Sequence, residues 1–198
     1  MSDEYKTSYS LLERALDLKD ETAWVTLIER YSVFIDYLLR QLQVREEDVS
    51  DVSQEVMLNL TKNLEKFDKT KGRFRPWFSS VIRNTVKVHF RKLNSNARKS
   101  EKFQHEYEFM NSDDSELDQR ISAEWQDFLT EQALNNIRGN FRGQAITVFE
   151  LSLQGVPNNE IHQRTGVGEN SIYKLKQRVK RAMVIEIKSL LKELEPGS

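Results

Sequence analysis

The stretch from Lys71 to Lys92, KGRFRPWFSSVIRNTVKVHFRK, contains no acidic residue and sets aromatic side chains among its cations. Lysine and arginine at this density hold phosphates, and an asparagine amide offers a donor and an acceptor to a base edge. On a helix at about 100° per residue, Ser80, Arg83, Asn84, Lys87 and Arg91 share one face, and Phe78, Val81, Ile82, Thr85 and His89 share the opposite one. The first face reads as an exposed basic ridge with an amide in its middle, and the second as a packing face. Arg73 and Arg75 extend the ridge into the preceding loop. Trp77 and Phe78 read as core and His89 as a packed histidine, whereas Phe90, off the apolar stripe, could stack on an unpaired base. The plainer alternative is a solvated charged face over a core helix. The absence of balancing acids, the two loop arginines and Asn84 all count against it.

A second basic face lies in VPNNEIHQRTGVGENSIYKLKQRVKRAM, residues 156–183. The pattern predicts a short helix from Pro157, a turn through Gly166 and Gly168, and a second helix from about Glu169. There Ile172, Leu175, Val179, Ala182 and Met183 point inward, while Asn170, Lys174, Gln177, Arg178 and Arg181 point outward. A glycine-capped helix followed by one with a basic outer face is the sequence form of a DNA-reading helix-turn-helix, although two helices joined by glycine are also ordinary packing.

A third surface is acidic. In EEDVSDVSQEVMLNLTKNLEKFD, residues 46–68, the face opposite the apolar stripe carries Asp51, Gln54, Glu55 and Leu58. A leucine within a polar patch suits a partner surface. These carboxylates suggest neither metal binding nor acid–base chemistry, because no histidine lies near them and nothing supplies a nucleophile or an oxyanion site. The expectation is therefore a protein that is not an enzyme and uses no cofactor and no metal.

The elements that must position these faces are helical. Trp24, Leu27, Ile28, Tyr31, Ile35, Leu38 and Leu42 recur at three-and-four spacing, preceded by a shorter helix around Ser10 to Leu18. Val49, Val52, Val56, Leu60, Leu64 and Phe67 form another stripe that ends before the turn at residues 68–72, and Pro76 suits the first turn of the basic helix. Residues 8–93 thus form a first helical domain. Periodicity fades over 94–118, a polar linker, and returns in 119–195 with Ile121, Trp125, Phe128, Leu129 and Ile137, then Ala145, Val148, Phe149 and Leu153. The last helix continues to about Leu194. With neither an internal repeat nor a period-two stretch, the chain is all-α, with two small helical domains.

Overall charge names no partner: 30 Lys and Arg stand against 31 Asp and Glu in 198 residues, with a pI near 6.4. Its distribution is informative, because ten of the basic residues and no acid fall between Lys69 and Ser100. A chain polarised in this way can hold a positive field on one surface while remaining soluble elsewhere. There is no cysteine, so no disulfide or thiolate site, which suits a reducing compartment. The polar N-terminus lacks the apolar core of a secretion signal, and no apolar run approaches the roughly 20 residues that span a bilayer. The expectation is a cytoplasmic protein without membrane insertion.

The order of these parts resembles the extracytoplasmic-function (ECF) sigma factors, two-domain members of the sigma-70 family of bacterial RNA polymerase initiation factors. The resemblance rests on DVSQEV, then FDKTKGRFRPWFSSVIRNTVKVHFRK, a variable linker, and GVPNNEIHQRTGVGENSIYKLKQRVKRA. It implies a region 2-like domain over 8–93 and a region 4-like helix-turn-helix domain over 119–195. Asp51, Gln54, Glu55 and Leu58 would then dock on the clamp helices of bacterial core RNA polymerase. Lys71, Arg73, Arg83, Asn84, Lys87 and Arg91 would hold the unpaired non-template strand of the minus-ten element. Asn170, Ser171, Tyr173, Lys174, Gln177, Arg178 and Arg181 would read the minus-thirty-five element of promoter DNA. An anti-sigma factor is one regulatory partner the resemblance allows, beside phosphorylation and abundance. Two features depart from the family pattern: NIRGNFRGQAITVFEL lacks the usual Leu-Pro pair, and Leu175 and Lys176 are exchanged in polarity. A stand-alone helix-turn-helix regulator binding duplex DNA as a dimer is the alternative, but it leaves the first domain unexplained. A helical adaptor for protein alone gives the two basic faces no role.

Overall fold

Asp20 starts a 21-residue helix of the first domain because its carboxylate accepts the otherwise unpaired N–H of Ala23 at 3.0 Å. Arg14 clamps both oxygens of that carboxylate, through Nε at 2.7 Å and Nη2 at 3.1 Å. The Arg14 hydrogen bonds, followed by those from Thr22 and Ala23, hold the Asp20 carboxyl well below the usual carboxylate range. The computed structural model describes residues 8–16, 20–68, 70–96, 109 and 111–194. Its helices are α1 (Ser8–Ala15), α2 (Glu21–Gln41), α3 (Glu46–Asn63) followed by a 3-10 turn (Leu64–Lys66), α4 (Phe74–Asn96), α5 (Asp114–Arg138), α6 (Ala145–Leu153), α7 (Asn158–Thr165) and α8 (Glu169–Leu194). No strand occurs among the described residues, so the fold is all-α as the periodicity predicts. Among them, no helix is long and apolar enough to cross a membrane. The first helix ends at Ala15, short of the expected Leu18, which lies outside the described residues.

The chain divides into two compact units, Met1–Phe128 with Lys192–Ser198, and Leu129–Leu191. Of the linker expected at 94–118, residues 97–108 and 110 lie outside the described residues. Phe109 is buried with its ring edge-on to Phe90 at 5.3 Å, and α5 begins at Asp114.

In the first unit, α2 buries Leu27, Tyr31, Phe34, Ile35, Leu38 and Leu39, and α3 buries Val49, Val52, Val56 and Leu60. Ile28, expected on the packing stripe, lies at its margin and is 42% exposed. The first turns of α4 enter this core through Phe74 and Phe78, whose rings stack on each other at 5.5 Å and both meet the Tyr31 ring edge-on. Phe34 receives Trp125 of α5 at 4.5 Å and 89°, and Phe128 at 5.3 Å. Edge-to-face pairs at these distances add to apolar burial and fix ring orientation. Arg75 reaches the same part of α5, with Nη1 3.3 Å from the Ser122 hydroxyl and its guanidinium 5.9 Å from the Trp125 ring centroid.

The second unit has two apolar clusters. Ala133 and Ile137 of α5, Ala145, Ile146 and Phe149 of α6, and Val179 and Met183 of α8 make one. Val148, Ile161 and Ile172 make the other, drawing α6, α7 and α8 together. The alternation read from the sequence holds along α8: Ile172, Val179 and Met183 are buried, and Leu175 and Ala182 are half-buried.

Between α7 and α8 the chain turns on Gly166, which has φ +70° and donates its N–H to the His162 carbonyl at 2.8 Å. A Cβ at Gly166 would meet nothing within 4 Å, so the backbone conformation alone calls for glycine. Denaturant unfolding of the full chain should show Gly166→Ala less stable by about 1 kcal/mol, and Gly166→Asn by less, since asparagine tolerates the left-handed region better. Equal stability of the alanine variant and the natural protein would mean that this helix end can relax out of the left-handed conformation.

Candidate nucleic-acid interface

Burial on α4 covers a wider arc than a single apolar stripe. Phe78, Ile82, Thr85, Val86 and Phe90 are buried, and so are Arg83 and Lys87, at 7% and 9% exposure. The outward face is therefore turned by about 45° from the one expected: Asn84, Val88 and Arg91 are exposed, with Trp77 and Ser80 half-buried beside them. Phe90, expected to be clear of the packing face, is fully buried against Phe109.

Arg83 and Lys87, expected on an open ridge, are covered by the start of α5. Lys87 Nζ lies 2.7 Å from Asp114 Oδ1 and donates to the Ser112 carbonyl at 3.1 Å. Arg83 Nη1 lies 2.6 Å from Asp118 Oδ2 and donates to the Asp114 carbonyl at 3.1 Å, while Nη2 lies 3.2 Å from Asp114 Oδ2. The acids missing from the local sequence thus arrive from a segment some 30 residues further on. The Lys87 hydrogen bond, then the charges of Arg83 and Lys87, hold the Asp114 carboxyl below its ordinary range. Two buried atoms in this cluster have no hydrogen-bond partner, Arg83 Nε and Asp118 Oδ1.

On the outward side, Asn84 lines a groove of about 610 Å³ between α3 and α4, together with Trp77, Ser80, Lys62, Lys66 and Lys92. The walls are joined by the Asn59 amide, which donates to the Thr85 hydroxyl at 3.0 Å. Lys92 also pairs with Glu55 across the groove at 3.1 Å. Sequence reasoning gave Lys62, Lys66 and Lys92 no role. Two lysines four apart, on the last turn of α3 and the 3-10 turn after it, just ahead of the basic loop, were the available signal. In that loop Lys71 and Arg73 are exposed, and Lys71 lies 3.5 Å from the Asp68 carboxylate.

On α3, Asp51 and Gln54 are exposed, Glu55 is half-buried, and Leu58 is 57% exposed between two grooves. The second groove, of about 530 Å³, lies between α2 and α3 and is lined by Ile28, Arg40, Glu46 and Met57 among others. The structure thus brings an apolar side chain and an amide together on one open surface, backed by a helix whose other side is core. Residues 27–96 match the family model of sigma-70 region 2. The region 2 segment takes in α2 from Leu27, all of α3 and all of α4, and so contains both the α3 patch and the α4 groove. No curated protein and no solved structure matches the chain.

Outside the region 2 segment, α8 carries the remaining set. Asn170, Ser171, Tyr173, Lys174, Arg178 and Arg181 are exposed and Gln177 is half-buried. Tyr173, Lys174, Gln177, Arg178 and Arg181 line one shallow concavity. The Arg178 guanidinium stands 5.2 Å from the Phe141 ring centroid, which orients it across the helix surface. Among the described residues no cluster of three or more acidic or histidine side chains is placed to hold a metal ion.

The depressed Asp114 carboxyl has a pH signature within the region 2 segment's contacts. Its folded pKa lies below the unfolded one, so its stabilising effect is full above the ordinary carboxylate pKa and fades as pH falls through the folded value. Asp20, Glu46 and Asp68 are shifted in the same direction by other partners. Chemical unfolding between about pH 5 and about pH 2 should therefore show a smaller loss of stability for Asp114→Asn than for the natural chain. Identical pH profiles would mean that Asp114 is not paired in solution.

Proposed function

We propose that the protein is a sigma factor of the ECF type, a cytoplasmic protein that binds core RNA polymerase and directs it to promoters. It carries no catalytic activity of its own; the polymerase does the chemistry. The region 2 match carries this reading, since it supports a role in polymerase binding and promoter melting. In this reading the α3 patch of Asp51, Gln54, Glu55 and Leu58 meets the polymerase. Leu58 offers the apolar anchor, for which complete burial is worth about 1.5 to 3 kcal/mol, and the polar neighbours set orientation.

The unpaired minus-ten strand would then follow the α4 groove. Lys71, Arg73 and Arg91 hold its phosphates, and the Asn84 amide, exposed between Trp77 and Val88, reads a base. Arg83 and Lys87 lie at the edge of the same face, engaged with Asp114 and Asp118. Helices α7 and α8 act as a helix-turn-helix, with the outward residues of α8 in the major groove of the minus-thirty-five element. Run-off transcription with core polymerase tests the whole reading: promoter-dependent transcripts support it. Tight binding of duplex promoter DNA by the protein alone, without transcripts, favours the stand-alone regulator instead.

Two outcomes separate the surfaces. Leu58→Asp should weaken association with core polymerase by roughly ten-fold or more, as expected for a buried interface anchor, while helical content by circular dichroism stays unchanged. Unaltered affinity would remove the α3 patch from the polymerase interface.

For α8, an arginine bidentate to guanine contributes roughly 1 to 3 kcal/mol of discrimination. Arg178→Ala should therefore cost about ten-fold or more on templates with the preferred upstream element and much less where it is scrambled. Equal losses on paired templates would assign Arg178 to phosphate, and no loss on either would exclude this face from DNA.

A further inference from the structure

The cover over Arg83 and Lys87 is built unlike a structural ion pair. Its cations are buried, but its carboxylates are not: the Asp114 and Asp118 side chains are 59% and 44% exposed. A guanidinium matched to one carboxylate for stability holds both of its oxygens in a fork, through two nitrogens. Here Arg83 spends both Nη atoms on two different aspartates and the Asp114 carbonyl, and its buried Nε has no partner. One oxygen of Asp118 is equally unpartnered. The cations thus see a row of separate oxygen acceptors, from Ser112 O just ahead of α5 through Asp114 to Asp118 one turn further on.

We propose that the first turns of α5 stand in for the phosphates of a nucleic-acid strand, so that clasping by α5 and strand binding at Arg83 and Lys87 exclude each other. The inference rests on the reading of α4 as the strand-binding helix. A phosphodiester offers the same charge and acceptor geometry as the aspartates, and it can also fill the vacant Arg83 Nε position. The exchange returns two half-exposed carboxylates to water, where ion pairs of this exposure are worth little. The α5 clasp is not held by charge alone: Leu117, between the two aspartates, is 3% exposed, so opening also bares an apolar side chain. Apparent strand affinity is the intrinsic affinity multiplied by the fraction of molecules in the open state. The clasp therefore makes the free protein a poor strand binder until something else displaces α5.

The test uses the full chain and a labelled single-stranded DNA of mixed sequence, about 12 nucleotides long, with binding followed by fluorescence anisotropy. Asp114→Asn combined with Asp118→Asn should bind about ten-fold more tightly than the natural protein, the gain expected if roughly nine molecules in ten are clasped. Leu117→Ala, which opens the clasp without changing charge, should also bind more tightly. Asp127→Asn combined with Glu131→Gln, exposed on the same helix, should change affinity by less than about two-fold, since it alters only net charge. In a background of Arg83→Ala with Lys87→Ala the paired aspartate substitutions should have no effect, because coupled residues do not add. Circular dichroism establishes that each variant is folded.

Equal tightening by the control pair would reduce the effect to net charge and overturn the clasp. No tightening by the aspartate pair or by Leu117→Ala, with weaker binding by the Arg83 and Lys87 variant, would overturn the clasp while leaving α4 as the strand-binding helix. If no variant alters strand affinity, including the one lacking both cations, α4 is not that helix and the clasp falls with it.

Discussion

The Tyr31 ring meets Phe74 at 5.6 Å and Phe78 at 5.2 Å, edge-on to both, and this junction sets the rotation of α4 about its own axis. The buried Tyr31 hydroxyl donates to the Leu194 carbonyl at 2.6 Å. With Phe74 and Phe78 fixed, every later side chain on α4 has its direction assigned in steps of about 100°. Asn84 falls outward into the groove, Ile82 and Val86 fall into the core, and Arg83 and Lys87 fall on the flank that α5 covers. A shift of one residue that carried Asn84 to the place of Arg83, beside α5, would put Thr85 where Asn84 now stands and carry Val88 to the place of Lys87. The outward placement of Asn84 on this helix is thus a consequence of aromatic packing two turns away.

The same rotation creates an electrostatic problem that the chain solves away from α4. Arg83 and Lys87 emerge where an element packs, and a cation withdrawn from water needs nearby anionic or carbonyl oxygen. No residue from Lys69 to Ser100 can supply a carboxylate. The start of α5 supplies two, along with two backbone carbonyls, and Asp113 caps the same helix by accepting the Ser115 N–H at 2.7 Å. Its acidic first turn therefore satisfies its own helix dipole and the α4 cations at once. On α8 the cations Lys174, Arg178 and Arg181 remain open to water. The two basic faces differ in readiness: one is presented as it stands, and the other is partly occupied by its own chain.

How much of this could be read in the sequence depends on the distance over which each feature is determined. The stripes of α2 and α3 were legible because a helix with one packed face writes its period directly, as Leu27, Tyr31, Ile35 and Leu38 or Val49, Val52, Val56 and Leu60 do. The two-sided character of α8 and the turn at Gly166 were legible for the same reason. Ile28 was misplaced at the edge of its stripe, where the period cannot distinguish burial from exposure. Phe90, Arg83 and Lys87 were misplaced for a different reason: α4 packs on two sides, and its second neighbour is the polar, aperiodic stretch around Phe109 and Asp114. Nothing within one helix turn of Arg83 announces Asp118. The lysines at 62, 66 and 92 were overlooked because a groove wall is shared between helices and belongs to no single stripe.

That sharing has a consequence for the proposed function. The groove holding Asn84 has one wall on α3, and the α3 wall is the reverse edge of the surface proposed to meet the polymerase, since Leu58 lines both grooves. The walls are tied by the hydrogen bond from Asn59 to Thr85, and Asn59 in turn accepts from the Asn63 amide through its carbonyl at 2.7 Å. Thr85 also donates to the Val81 carbonyl at 2.8 Å, so its hydroxyl is committed on both sides and cannot rotate to release Asn59 without loss. A partner that immobilises α3 at Leu58 therefore holds one bank of the channel against which Asn84 must present its amide. An amide can discriminate bases only if its position is defined to within hydrogen-bond tolerance. For the proposed base reading by Asn84, that definition would come from the α3 bank and the Tyr31 junction together.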